Sequence, residues 1–382
     1  MVTLVEGIDV VEVAAEYGAT VGRQEYWGCA TLVPAPGETP ASLAQRLEGD
    51  ARIITSEPNG YLESPESRQQ SFAFDDGLGT EQNYREQDAT GAVRLTRAHQ
   101  IGRGDGVLVA ILDTGILDHP LLAGRIAMGR DFVDQDADPT DTPDQFDNDL
   151  DGHPDEALGH GTHVGGIVAL TAPGARLAVA RVLDADGRGD MWSVAAGIYW
   201  ATARGARVIN MSLGSLESSK AVQYALAGAE VAGVVNVASA GNRGSDQPRE
   251  YPARSSHVLA VAAVDAQDRA APFTSFGNHV ALSAPGVGVR STYRDGGYAI
   301  WSGTSMSAPF VSGTAALLVG LHPEWDQRQV LTRLRSTVRS LDALNPQLAG
   351  SLGAGALDAG AALAPDRSAG GGGGGRTPRI MY

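Results

Sequence analysis

Hydrophobic and polar positions divide the chain into two regions. Up to about residue 65 the apolar stretches are short and broken. Val2–Val5, Tyr26–Val33 and Ala51–Thr55 read as strands. Val10–Tyr17 and Pro40–Leu47 carry apolar positions at helical spacing, and Gly18 supplies a stop. The order strand, helix, strand, helix, strand predicts a small α+β unit. Residues 66 to about 88 are polar and aperiodic, which predicts a linker. From about Gly91 the character changes. Gly106–Leu112, Leu177–Val182, Ala206–Asn210, Gly233–Ala238 and Val258–Ala263 are apolar, β-branched runs, as strands buried on both faces require. Helical patterns lie between them at His163–Leu170, Met191–Ala203 and Ser218–Ala232, and two more follow at Ser305–His322 and Asp326–Thr337. This alternation predicts an α/β fold with a doubly wound, mostly parallel sheet. Six consecutive glycines, Gly370–Gly375, mark residues 365–382 as a flexible tail.

Composition narrows the function. Of 382 residues, 43% are apolar and 19% charged, enough for a sizeable core. The formal charge of −16 is the wrong sign for a nucleic-acid partner. No run of about 18 apolar residues is present, so no membrane span is expected. Met1–Val10 has neither a basic start nor a long apolar stretch, so no signal peptide is visible. The single cysteine, Cys29, excludes a disulfide within the chain and a cysteine-based zinc site. Glycine is in excess, with 49 residues, and much of it flanks reactive side chains.

Three glycine-flanked segments carry chemistry. Val109–Asp113 followed by Thr114-Gly115 ends a buried strand in a carboxylate, at the edge where open α/β sheets place their sites. Gly159-His160-Gly-Thr-His163-Val-Gly-Gly166 opens a helix with two histidines three apart; the pair suits either a metal or one general base beside a packing residue. Ser302-Gly-Thr-Ser305-Met-Ser-Ala-Pro309 places a hydroxyl at a helix start, near free backbone amides. A carboxylate, an imidazole and a hydroxyl are the parts of nucleophilic acyl transfer.

In this order, the Asp113-Thr-Gly, His160-Gly-Thr-His-Val-Gly-Gly and Gly303-Thr-Ser305-Met-Ser-Ala-Pro motifs resemble those of the subtilisin-like serine proteases (subtilases, peptidase S8), over about Ala98–Leu363. The resemblance implies a serine endopeptidase in which Ser305 is the nucleophile, His160 the base and Asp113 its orienting carboxylate, with no cofactor for catalysis. Asn242, in Val-Ala-Ser-Ala-Gly-Asn, matches the family's oxyanion-hole residue. Ser212, Leu213 and Gly214 match one substrate edge, and Gly187 and Gly189 the opposite one, so that proteins or peptides are the expected partners. Alignment on Tyr251-Pro252 puts Glu250 near the base of the S1 pocket and Arg243 near its rim. A carboxylate there favours Lys or Arg at P1, unless Arg243 pairs with it. A catalytically silent scaffold on the same fold would not need Asp113, His160, Asn242 and Ser305 together.

The same family reading makes residues 1–75 a ferredoxin-like propeptide that assists folding and inhibits the enzyme. Residues 76–90 become a linker, 91–364 the catalytic domain, and cleavage falls between about Glu63 and Asp88. Asp50–Asn59, ending in Glu57-Pro-Asn, resembles the propeptide's last strand and the residues after it. A monomer made as a self-processing zymogen is expected, exported from the cytoplasm. The acid is local: Asp131–Glu156 holds eleven carboxylates and no Lys or Arg. Within it, Asp147, Asp149, Asp151 and Asp155 fall at calcium-loop positions 1, 3, 5 and 9, with Gly152 at the turn, so a structural Ca²⁺ is expected there. Position 12 is Leu158 instead of Glu, which makes it a loop site without the paired helices.

Overall fold

The computed structural model describes residues 1–25, 28–67 and 71–365; the first positions of the predicted Tyr26–Val33 strand and the glycine tail from residue 366 lie outside them. The N-terminal unit runs β1 (Val2–Leu4), α1 (Val10–Glu16), β2 (Thr20–Gln24), β3 (Cys29–Val33), α2 (Pro40–Leu47) and β4 (Ile53–Ser56). The helix starts follow local chemistry. Asp9 accepts a hydrogen bond from the Val11 amide at 2.8 Å, and Thr39 caps α2 just before Pro40. The four strands pair antiparallel in the order β2-β3-β1-β4, a ferredoxin-like βαββαβ arrangement. The unpredicted strand, β2, reads Thr-Val-Gly-Arg-Gln and never presents two successive buried residues, so it lacks an apolar run.

The stretch predicted as a linker is more ordered than its composition implies. β5 (Tyr61–Glu63) precedes it, α3 (Glu81–Arg85) lies inside it, α4 (Asp88–Ala92) begins at its end and α5 (Leu95–His99) follows. Tyr84 is only 2% exposed and donates its hydroxyl to the Gly166 carbonyl at 2.7 Å. Asp76 forms an ion pair with Arg290. Helices of five residues are too short to show periodicity, which is why polar composition alone governed the expectation.

The main sheet contains β6 (Leu108–Asp113), β7 (Ile126–Asp131), β8 (Arg176–Arg181), β10 (Val208–Met211), β11 (Val235–Ser239), β12 (Leu259–Val264) and β13 (Val280–Pro285). It is parallel throughout, in the order β13-β12-β11-β10-β6-β8-β7. The five predicted strands are its interior. The two unpredicted ones are its edges, where Gly129 and Arg130 in β7 and Ser283 and Pro285 in β13 interrupt the apolar pattern. The strand β9 (Arg188–Asp190) pairs with β5, and β14 (Val289–Thr292) with β15 (Tyr298–Trp301).

Two helical layers cover the sheet. α6 (His160–Thr171) and α9 (Thr304–Leu321) pack with Val109 and Ile111 of β6, whereas α7 (Met191–Ala203) and α8 (Lys220–Val231) pack with Ala110 and Leu112. α10 (Gln327–Ser336) and α11 (Ala359–Leu363) close the first layer. Side chains alternate along a strand, so Asp113 belongs to the parity of Val109 and Ile111. It therefore faces the layer in which α6 begins with His160 and the first turn of α9 carries Ser305. α9 has the length and hydropathy of a membrane span, but 89% of it is buried within this fold.

The crossing of α6 and α9 sets the distance between these two starts. A Cβ on Gly313 would lie 2.4 Å from Thr171 Cβ, well inside van der Waals contact. Gly313→Ala should therefore push the helices apart and cost about 1–3 kcal/mol. A melting temperature equal to that of the unaltered protein would show that the helices do not cross so closely.

Candidate active site

Asp113, His160 and Ser305 meet at the carboxyl end of the sheet, all buried. His160 Nδ1 lies 2.6 Å from Asp113 Oδ1, which also accepts the Thr114 amide at 2.8 Å. This contact is possible because α6 starts almost on β6: a Cβ on Gly161 would stand 2.1 Å from the Gly115 carbonyl oxygen. The Trp301 ring packs edge-on against both His160 and His163. His163 sits 3.2 Å from the Ala299 carbonyl through Nε2, and burial lowers its pKa to about 3. It is a neutral packing residue, and no third ligand type joins the two histidines among the described residues.

Asn242 follows β11 and lies beside the start of α9. Its Oδ1 accepts from the Thr304 amide at 2.9 Å and the Thr304 hydroxyl at 2.8 Å. Both bonds fix the side-chain amide so that Nδ2 points the other way, towards the space in front of Ser305. The sequence reading missed Thr304, although its place beside Ser305 in the motif was the available signal.

That space is filled by the chain itself. The Glu66 carboxylate accepts from Asn242 Nδ2 at 2.7 Å and from the Ser305 amide at 3.3 Å through Oε1. Through Oε2 it accepts the Ser305 hydroxyl at 2.5 Å and lies 3.3 Å from His160 Nε2. Gly303 makes room for it, since a Cβ there would sit 1.7 Å from Glu66 Oε1. Burial opposes protonation of His160, but Asp113 and Glu66 outweigh it and raise its pKa to about 10. Burial also opposes the charge of Glu66, yet His160, Ser305 and Asn242 together hold its pKa below the usual carboxyl range.

The expected substrate edges are occupied by the same segment. β5 pairs antiparallel with β9, Leu62 opposite Gly189. On its other side Glu63 exchanges both main-chain hydrogen bonds with Gly214, at 3.0 and 2.8 Å. The Ser64 amide donates to the Gly187 carbonyl at 2.8 Å. A side chain at Gly187 would strike Ser64 and Ser67, so this glycine leaves space for the covering chain. Leu213 is buried, and the Ser212 hydroxyl donates to the Ser305 carbonyl at 3.0 Å. Glu250 is 1% exposed and lies behind Gly214 and Gly241, at a distance that a Cβ on either would violate. Its Oε1 accepts from Arg243 Nε at 3.2 Å, so this carboxylate has a cation beside it.

Away from the cleft, the acidic loop brings together Asp147, Asp149 and Asp151, and Asp149 also converges with Glu156 and Asp186. Asp155 departs from the expected set. Its carboxylate is turned back to accept the Asp144 and Gln145 amides at 2.9 and 3.0 Å. Burial followed by mutual repulsion raises Asp149 to about 6 and Glu156 to about 8. Elsewhere Cys29 is buried and its thiol pushed up to about 12, which makes it inert.

The family follows from sequence as well as from shape. Residues 104–370 match the subtilase family of peptidase S8, and the chain belongs to it. It is therefore a subtilisin-like serine endopeptidase. It is 40% identical over 269 residues to the thermostable alkaline protease of Halalkalibacterium halodurans, covering 68% of this chain and 69% of that one. It is also 40% identical over 237 residues to thermitase of Thermoactinomyces vulgaris, covering 59% of this chain and 79% of the relative. A solved protease structure from Pseudoalteromonas arctica superposes with a TM-score of 0.67 at 31% identity, over 74% of this chain and 96% of that one.

Proposed function

We propose that the chain is a self-processing zymogen that cleaves peptide bonds through an acyl-enzyme. Ser305 attacks the scissile carbonyl, and His160 takes its proton and returns it to the leaving amine. Asp113 holds the imidazole tautomer and stabilises the imidazolium. Asn242 Nδ2 and the Ser305 amide stabilise the oxyanion; loss of such a donor typically costs about 10²–10³ in kcat. The observation that supports this best is the placement of Glu66, whose carboxylate meets the nucleophile, the base and both oxyanion donors at once. A negatively charged oxygen is what these groups are arranged to hold. Ser305→Ala should abolish peptide hydrolysis, labelling by a fluorophosphonate and release of the N-terminal unit. Processing that continues in a purified mutant, with no other protease present, would refute self-cleavage.

Residues 1–75 act as the inhibitor. Glu57 accepts from the Ser219 hydroxyl and from the Lys220 and Ala221 amides at the start of α8, and the Asn59 side chain accepts the Trp192 amide near the start of α7. These contacts anchor the unit on two helix N-termini, where a carboxylate is favoured. Processing in the stretch from about Glu63 to Asp88 would separate it from the catalytic domain at about residues 91–364, which acts as a monomer on proteins or peptides outside the cytoplasm.

The charge of Glu66 gives this latency a pH dependence. With the segment in place His160 keeps its proton up to about pH 10; its ordinary pKa is 6.5. Asp113 supplies part of that rise whether or not the segment is docked, and Glu66 adds its part only when it is, so docking favours the protonated imidazole and the hold weakens as pH rises towards the docked value. Glu66 has a depressed pKa, so its contribution is lost only as pH falls through that lowered value. Asp113 and Glu66 are the charged groups around His160, with His163 neutral beside them. The lag before full-length protein becomes active should shorten from pH 7 to pH 9, and Glu66→Gln should shorten it further and flatten the dependence. A lag indifferent to both would refute the role of Glu66.

The oxygen-only donor set of the acidic loop suits calcium. Asp149 with Asp147, Asp151, Glu156 and Asp186 would hold it, the ion offsetting their repulsion. Added calcium should raise the melting temperature and chelation lower it, with Asp149→Asn abolishing the response. Equal melting curves with calcium and with chelator would remove the site.

A further inference from the structure

One buried carboxylate lies against the triad without entering the chemistry proposed above. Asp141 is 1% exposed, within the acidic stretch Asp131–Glu156. Its Oδ2 accepts from the Thr114 hydroxyl at 2.6 Å and from the Gly159 amide at 2.7 Å. Thr114 follows Asp113, and Gly159 precedes His160. The Thr114 oxygen in turn accepts the Gly161 amide at 3.1 Å. One carboxylate oxygen thus ties the end of β6 to both residues that flank His160.

The backbone is shaped for this approach. Gly115 has φ +108°, and a Cβ there would stand 2.8 Å from the Asp141 amide nitrogen. The Ile116 amide donates to the Pro139 carbonyl at 3.1 Å, pinning the loop on the strand end. Holding a carboxyl here is costly. Its Oδ1 has no hydrogen-bond partner among the described residues, and burial pushes its pKa up to about 7 against the pull of Thr114 and Gly159. A residue that only filled space would not need an ionisable group in such a place.

We propose that Asp141 is a positioning residue for the Asp113–His160 pair, clasping strand end and helix start so that imidazole and carboxylate keep their separation through the reaction. The proposal rests on the triad assignment above. Small errors in such geometry are expensive, since misplacement by about 1 Å costs on the order of 10²-fold in rate.

The test compares Asp141→Ala and Asp141→Asn in the self-processed full chain, with sites counted by fluorophosphonate labelling. Asp141→Ala should lower kcat per site by at least about tenfold and leave KM within about twofold. Asp141→Asn keeps an oxygen for both donors and should recover kcat to within about threefold of the unaltered enzyme. The ionisable groups facing Asp141 are Asp113 on β6, Arg181 at the end of β8 and Tyr293 after β14. Normal kcat in Asp141→Ala would overturn the proposal, as would an Asn variant no better than the Ala variant. Should the Ala variant fail to fold, Thr114→Val, which removes the bridging hydroxyl between Asp141 and the Gly161 amide, takes its place, and a normal kcat per site there overturns the proposal. Failure of the unaltered enzyme to label at Ser305 would defeat the triad assignment and this proposal together; normal labelling with an indifferent Ala variant defeats this proposal alone.

Discussion

The cleft depends on a 2.6 Å contact between the Asp113 carboxylate and the His160 imidazole, sealed from water. A buried carboxylate is tolerable only when hydrogen-bonded, and Asp113 receives the imidazole and the Thr114 amide on one oxygen. The partners come from a strand and a helix 47 positions apart in the chain. Their meeting therefore requires the whole α/β layering: the parity of β6, the close start of α6 on Gly115, and the crossing of α6 with α9. The start of α6 and the helix crossing each use a glycine, Gly161 and Gly313, where a side chain would collide, which places part of the glycine excess at the points where backbones approach.

The central strands and the three reactive side chains were legible because their signals are local. A strand buried on both faces announces itself as an apolar run, and Asp113, His160 and Ser305 each lie in a compact motif of small residues. Edge strands β7 and β13 carried no such run, and the short helices between Glu81 and His99 no period. Glu66 was invisible for a different reason. It stands in an unremarkable Ser-Pro-Glu-Ser stretch, and its partners are 94, 176 and 239 positions away. Asp141 was read as one carboxylate among eleven, since nothing local separates a buried acid from its solvated neighbours. Of the carboxylates that spacing grouped, Asp147, Asp149 and Asp151 do stand together, whereas Asp155 bonds the Asp144 amide instead, and folding brings Asp186 in from another loop.

The N-terminal unit and the cleft are joined by chemistry that resembles the reaction the cleft is built to perform. Strand β5 lies where an extended peptide would lie, and Glu66 offers an anionic oxygen to the donors arranged for one. Its distance from ordinary product binding is that the oxygen belongs to a side chain in an unbroken segment. His160 there lies between two carboxylates, Asp113 and Glu66, which raise its pKa, so under the proposed latency the contacts that hold the segment would also keep the base protonated.

The two edges that grip β5 have a further consequence for what the enzyme can digest. Gly214 and β9 take main-chain hydrogen bonds of the inserted strand from both sides, so a chain in that place has its backbone groups engaged on both edges. If a substrate takes the place of β5, as proposed, a target already engaged in its own secondary structure would have to give up those internal bonds before it enters. Susceptibility would then be written less in the residues around a scissile bond than in the free energy of locally melting several residues of the target. Compact neighbours would survive beside the enzyme while damaged or incompletely folded ones were consumed.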